Sequence, residues 1–115
     1  MFKQIVDACV TRMREWNSKG MDGWTVSDFA VELAGEAGEL CDAVKKLRRH
    51  ETGMQGGSKS LDELHKAIAD ELADTVICVC LVAGKLGIDL DREIPKKFNR
   101  TSERYGLKTF LGRGE

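Results

Sequence analysis

The sequence predicts an all-α protein, and three observations carry that reading. Apolar residues recur at steps of three and four along four separate stretches. Helix formers such as Ala, Leu, Glu and Lys abound, while proline occurs once in 115 residues. Start and stop signals of the helical kind, a Ser or Thr before a stretch and a glycine after it, punctuate the pattern.

The first helix is expected over Phe2 to Trp16, with Ile5, Val6, Cys9, Val10 and Met13 on one stripe. Asn17, Gly20, Asp22 and Gly23 then supply loop chemistry. A second helix begins near Thr25 or Ser27, either of which can accept a hydrogen bond from the free N–H groups of the first turn. It runs to about Arg49 with Phe29, Leu33, Ala37, Leu40, Val44 and Leu47 as a continuous apolar face. Lys45, Lys46, Arg48 and Arg49 give its end the charge sign that a helix C-terminus favours.

Residues 52–60 contain Gly53, Gly56 and Gly57 and read as a flexible connection. The third helix is capped by Ser60 with Glu63 three residues on, and continues to about Leu86 before Gly87 stops it. From Thr75 to Gly84 it carries no charge on any side. A helix that is apolar all round must be buried, and so short a chain has trouble surrounding it alone. A homo-oligomer, dimer or tetramer, joined through this central apolar helix is therefore expected. The last helix opens around Asp89 or Asp91 and carries Ile94, Phe98 and Tyr105. Pro95 is tolerable only near a first turn, so this helix is expected to start late or bend. The tail from Gly106 to Glu115 has no strong pattern.

Length fits one domain spanning 1–115. A composition of 42% hydrophobic and 32% charged residues suits a soluble globular chain. Net charge of −1 argues against wholesale binding to nucleic acid or an anionic membrane. Two local basic runs, Lys45 to Arg49 and Lys96 to Arg104, still leave room for an anionic ligand such as a phosphate chain. The four cysteines, Cys9, Cys41, Cys78 and Cys80, form no C-x-x-C pair and sit in apolar segments, which reads as buried thiols. Lys3 and Asp7 interrupt the N-terminal apolar stretch, and no uncharged run reaches the roughly 18 residues of a membrane span. A cytoplasmic location is expected.

The chemistry lies in acidic pairs. Glu32, Glu36 and Glu39 fall on the second helix, Glu71 and Asp74 on the third. Residues three apart share a helical face, so Glu36 pairs with Glu39 and Glu71 with Asp74. Packed antiparallel, the two helices can turn these pairs towards one another, and converging carboxylates require a cation. Magnesium, a hard ion with oxygen ligands that keeps positions open for water and phosphate, suits the set. Acidic pairs also decorate many solvated helix faces. Here, however, Glu36 and Glu39 lie among Ala34, Gly35, Ala37 and Gly38 with no lysine beside them. Gly35 and Gly38 each cost a helix about 1 kcal/mol relative to alanine, which suggests a local need for space.

Glu36-Ala-Gly-Glu39-Leu, Glu71-Leu-Ala-Asp74 and Leu86-Gly-Ile-Asp-Leu90 together resemble the MazG-like, all-α nucleoside triphosphate pyrophosphohydrolases, over about Ala30 to Tyr105. The resemblance implies a four-helix bundle-type fold and Mg²⁺, with Mn²⁺ as a substitute, held by Glu36, Glu39, Glu71 and Asp74. It further implies hydrolysis of an NTP or dNTP to the monophosphate and pyrophosphate. Lys96 or Lys97, Asn99, Arg104 and Tyr105 resemble the family's phosphate-holding residues of the last helix. Gly35, where many members have a second Glu, looks more like the deoxycytidine triphosphatase-type branch and like phage-associated members.

On this reading Glu36 or Glu39 takes the proton of the attacking water. Lys45 or Lys46 offsets charge on the leaving pyrophosphate. Trp16 and Trp24 are expected to anchor the core, though either could stack on a base, with Trp16 as the substrate-binding candidate. His50 and His65 are expected at the surface. The competing readings are a related dUTPase or phosphoribosyl-ATP pyrophosphohydrolase, and a non-catalytic helical interaction protein. A di-iron role is disfavoured, because no Glu-x-x-His pair occurs on the central helices.

Overall fold

The computed structural model describes residues 1–18, 23–54 and 59–112. Gly20 and Asp22 of the first loop, Gly56 and Gly57 of the long connection, and the last three residues of the tail lie outside them. Four helices make up the regular structure: α1 (Phe2–Trp16), α2 (Val26–Glu51), α3 (Leu61–Leu86) and α4 (Leu90–Arg104). Among the described residues there is no strand, and no helix is long and apolar enough to cross a membrane.

Local chemistry fixes the helix ends. The Thr25 hydroxyl accepts a hydrogen bond from the Asp28 N–H, and the Asp28 carboxylate accepts one from the Thr25 N–H at 2.7 Å. Ser60 and Glu63 repeat this reciprocal arrangement at the start of α3. Gly87 ends α3 in the left-handed region, φ 64°, where a side chain would be strained. The last helix neither starts late nor waits for its proline. Asp89 caps it at Leu90, and the helix runs through Pro95 in its second turn.

α2 and α3 pack antiparallel. Lys46 shares a cleft with Leu64, Glu39 with Glu71, and further along Phe29 lies with Leu81. α1 packs on α3, with Val6 and Val10 against the end of α3: a Cβ on Gly84 would come within 2.9 Å of Val10 Cγ2. α4 rests chiefly against α1.

The seam of α2 differs from the face expected of it. Burial follows Phe29, Leu33, Glu36, Leu40, Ala43 and Leu47, with Ala37 half-buried beside Glu36 as expected, while Val44 is exposed and Ala43 is buried. Alternating steps of four and three keep that row facing one partner helix, as in a coiled coil. Glu36 therefore occupies a seam position that an apolar residue would ordinarily fill. α3 does the same, with Leu64, Ala67, Glu71, Asp74, Cys78 and Leu81 on its inward row. Cys41 stands off the seam and is exposed, contrary to its expected burial; the other three cysteines are buried. Both histidines are exposed.

One chain leaves much apolar surface uncovered. Val76, inside the uncharged stretch of α3, is 39% exposed, and Leu72 is 50% exposed. Ile94, Phe98 and Leu107 of α4 and its tail are also open. The radius of gyration is 17.9 Å, against about 13 Å for a compact chain of similar length.

Candidate metal centre and flanking clefts

The antiparallel register of α2 and α3 brings three carboxylates together midway along the seam. Glu36, Glu71 and Asp74 each offer an oxygen, and these oxygens lie within 4.8 Å of one another. All three side chains are partly buried. Oε2 of Glu36 and Oε2 of Glu71 are shut off from solvent and have no hydrogen-bond partner among the described residues. A buried carboxylate oxygen without a donor is costly, so the two are poised for a cation.

Electrostatics agree with the geometry. Burial, reinforced by the charges of Glu39 and Asp74, pushes the Glu36 carboxyl up to about 7. Burial and the neighbouring Glu39 also raise Glu71. Glu36 and Glu71 thus resist ionising beside their neighbours, the behaviour of a like-charge cluster. Three oxygen donors of this kind match what Mg²⁺ takes from protein, with positions left for water and phosphate. Glu39, expected as a fourth ligand, neighbours Glu36 and Glu71 and helps to raise both, but is not within 4.8 Å of all three other carboxylates. It is exposed one turn along α2, at the edge of the seam.

Two clefts of opposite character flank the cluster. On one side a space of about 260 Å³ is lined by Trp16, Trp24, Phe29, Met13, Ile77 and Leu81, and reaches Glu36 and Asp74. Trp16 is 49% exposed and faces this space, so it does not serve as the core anchor expected of it. Trp24 lies tilted against Phe29 with ring centroids 5.3 Å apart, which fixes one wall. Arg12 is the cleft's cation. Burial, with the charges of Glu36 and Glu32 behind it, pushes the Cys78 thiol on its floor up to about 11, so it stays protonated.

On the other side a wider space of about 480 Å³ reaches Glu39 and Glu71. Gly35 and Gly38 form part of its floor, and a Cβ at either would meet nothing within 4 Å. Their bare backbone thus leaves room in the cleft and does not serve helix packing. Lys46 and Lys59 are its cations.

The remaining expected ligands are placed elsewhere. Lys45 lines neither cleft, and neither cleft takes a residue from α4. Lys97, Arg104 and Tyr105 border a separate hollow with Arg100. Asn99 is committed to the tail: its amide donates to the Leu111 carbonyl at 2.8 Å and accepts from the Leu111 N–H at 2.7 Å. Arg12 and Lys59 were not expected. Arg12 could have been suspected, because it precedes Trp16 by one helical turn. Lys59 carries no local signal, since its place opposite Lys46 comes only from the register of α2 against α3.

Comparison with known proteins gives one match. The model of the MazG-like family matches residues 36–113, which takes in all the cluster carboxylates. No curated protein and no solved structure matches the chain.

Proposed function

The chain belongs to the MazG-like family, and from that membership and its cluster of unpartnered carboxylates we propose that it is a magnesium-dependent nucleoside triphosphate pyrophosphohydrolase. Its products would be a nucleoside monophosphate and pyrophosphate. The observation that carries this reading is the pair of buried, donorless oxygens on Glu36 and Glu71, set between an aromatic cleft and a cationic one. Such a site has a place for a cation, a planar base and a phosphate chain.

Glu36, Glu71 and Asp74 would hold Mg²⁺, with Mn²⁺ as a substitute. When bound, the ion supplies Lewis acidity to phosphate oxygens and offsets charge that develops during phosphoryl transfer. Trp16 and the Trp24–Phe29 wall would receive the base and exclude water from one face of it. Glu39 lies beside the cluster with its carboxylate outside the trio, so it is positioned to take the proton of the attacking water. The water oxygen bonds to a phosphorus flanking the α,β bridge, the bond from that phosphorus to the bridging oxygen breaks, and pyrophosphate separates from the monophosphate. Lys46, expected to offset charge on the departing phosphates, lines the cleft that would receive them but is paired with Asp42 at 2.9 Å. Uncovered apolar surface on α3 and α4 favours a homo-oligomer as the working form.

The test is direct. Purified protein is incubated with each canonical and several modified triphosphates, with Mg²⁺ and then with EDTA, and the products are assayed. Monophosphate and pyrophosphate that disappear with EDTA are expected. Glu71→Gln, shown to be folded by circular dichroism, should lose this turnover. Absence of pyrophosphate from every substrate, or undiminished activity in Glu71→Gln, would sink the reading.

A further inference from the structure

The two clefts give the site a direction. A triphosphate carries its apolar, planar part at one end and most of its charge at the other. The cleft on the Glu36 and Asp74 side is walled by aromatic and aliphatic side chains. That on the Glu39 and Glu71 side is open, glycine-floored and contains two lysines. A phosphate chain entering the second cleft meets Asp42, Glu39 and Glu71 as well, and needs cations that these carboxylates have not already neutralised.

Lys46 is not such a cation. Its Nζ lies 2.9 Å from Asp42 Oδ2, and that contact holds the Asp42 carboxyl below its usual range. Lys59 lines the same cleft and forms no ion pair among the described residues. It sits directly before Ser60, whose hydroxyl and N–H are engaged with Glu63. The cap thus anchors the backbone of Lys59 at the mouth of the cleft while its ammonium stays available.

Resting on the pyrophosphohydrolase reading, we propose that Lys59 is a substrate-binding residue which receives the β- and γ-phosphates. The triphosphate then lies across the α2–α3 seam, its base towards Trp16 and its terminal phosphates towards Lys59. This assigns the leaving-group end of the site to a residue outside the acidic motifs and outside α4.

Calorimetric binding of magnesium pyrophosphate, and separately of the four deoxynucleoside monophosphates, tests the assignment in the wild type, Lys59→Ala, Lys59→Arg and Lys66→Ala. Lys66 is an exposed residue of α3 that lines neither cleft and serves as the control. Lys59→Ala should weaken pyrophosphate binding by roughly tenfold or more, the effect of losing one charge-assisted contact. Lys59→Arg should restore it, Lys66→Ala should not change it, and monophosphate binding should move by less than about twofold in all of them. Equal pyrophosphate binding in the wild type and Lys59→Ala, no binding in either, or an equal loss of monophosphate binding would overturn the proposal. Binding is read independently of turnover. A wild type that binds pyrophosphate through Lys59 but hydrolyses no triphosphate would refute the enzyme reading and retain the cleft.

Discussion

Glu36 on α2 and Glu71 on α3 face each other across the helix seam, and each buries an Oε2 that no donor reaches. Their proton equilibria therefore report on the cluster. Both carboxyls are raised, Glu36 to about 7 from an ordinary 4.5. Between those limits the folded state holds protons that the unfolded chain has released. Stability must then fall as pH rises through this window and level off above it. Without metal, the melting temperature should be higher at pH 5 than at pH 8. Magnesium added at pH 8 should raise it, because the cation replaces the missing protons. The window lies above the titrations of Asp42 and Asp91, whose carboxyls are held low by Lys46 and by the α1 N–H groups respectively. Thermal denaturation at the two pH values, with and without Mg²⁺, decides the matter. A midpoint that rises towards pH 8 and ignores magnesium would mean that the cluster is no cation site.

Glycine substitutions should separate packing from open space. A Cβ on Gly84 would lie 2.9 Å from Val10 Cγ2 and 3.4 Å from Val6 Cγ1, where α1 meets α3. Overpacking of this kind costs about 1–3 kcal/mol, and the helix propensity of alanine returns about 1 kcal/mol. Gly84→Ala is accordingly expected to lose on the order of 1 kcal/mol. Gly35→Ala and Gly38→Ala meet no neighbour and should each gain about 1 kcal/mol. Urea unfolding ranks the three variants. A stabilised Gly84→Ala would show that α1 shifts freely on α3.

α1 borrows its cap from the far end of the chain. The Asp91 carboxylate accepts hydrogen bonds from the N–H groups of Phe2 at 3.0 Å and Lys3 at 2.9 Å, with the terminal ammonium 3.3 Å away. No side chain at the start of α1 performs this task. Loss of a carboxylate cap typically costs about 1 kcal/mol, so Asp91→Ala should unfold at lower urea concentration by that amount. Asp91→Asn should retain part of the difference, since an amide oxygen still accepts. If Asp91→Ala proves as stable as the wild type, α1 and α4 are not held together through this contact.

These results show which features local patterns reveal. The span of α1, the reciprocal caps at Thr25 and Ser60, and the glycine stop at Gly87 depend on neighbours in sequence, and all are readable from it. So are the acidic pairs, because a three-residue step fixes a shared face whatever the surroundings. Seam membership is different. Periodicity alone favours Ala37 and Val44 as α2 face residues, because it ranks positions by hydrophobicity. Packing against α3 keeps Ala37 half-buried, adds Glu36 beside it and selects Ala43 over Val44, which only the partner's register can decide. The same register puts Lys59 opposite Lys46. Asn99, named from the family resemblance, bonds the backbone of its own tail at Leu111, a contact that no local pattern announces.

Uncovered apolar surface leads to the last expectation, a homo-oligomer in solution. Only seven apolar residues, two of them alanines and three of them cysteines, are buried among the described residues. Ile94 and Phe98 lie one turn apart on α4, with Leu107 folded beside them around a hollow that no other helix fills. α3 meanwhile leaves Leu72 and Val76, also four apart, in the open. Two unpartnered apolar rows on one extended chain are best satisfied by a second copy. Sedimentation analysis of the wild type should show a dimer or tetramer. Phe98→Glu places a charge in the α4 row and should shift the distribution towards monomer, as should Val76→Glu in the α3 row, because a buried unpaired charge is costly. Lys66→Ala, away from both rows, should leave the assembly unchanged. A wild type that sediments as a monomer at every concentration, with helicity intact, would show that these rows remain facing water.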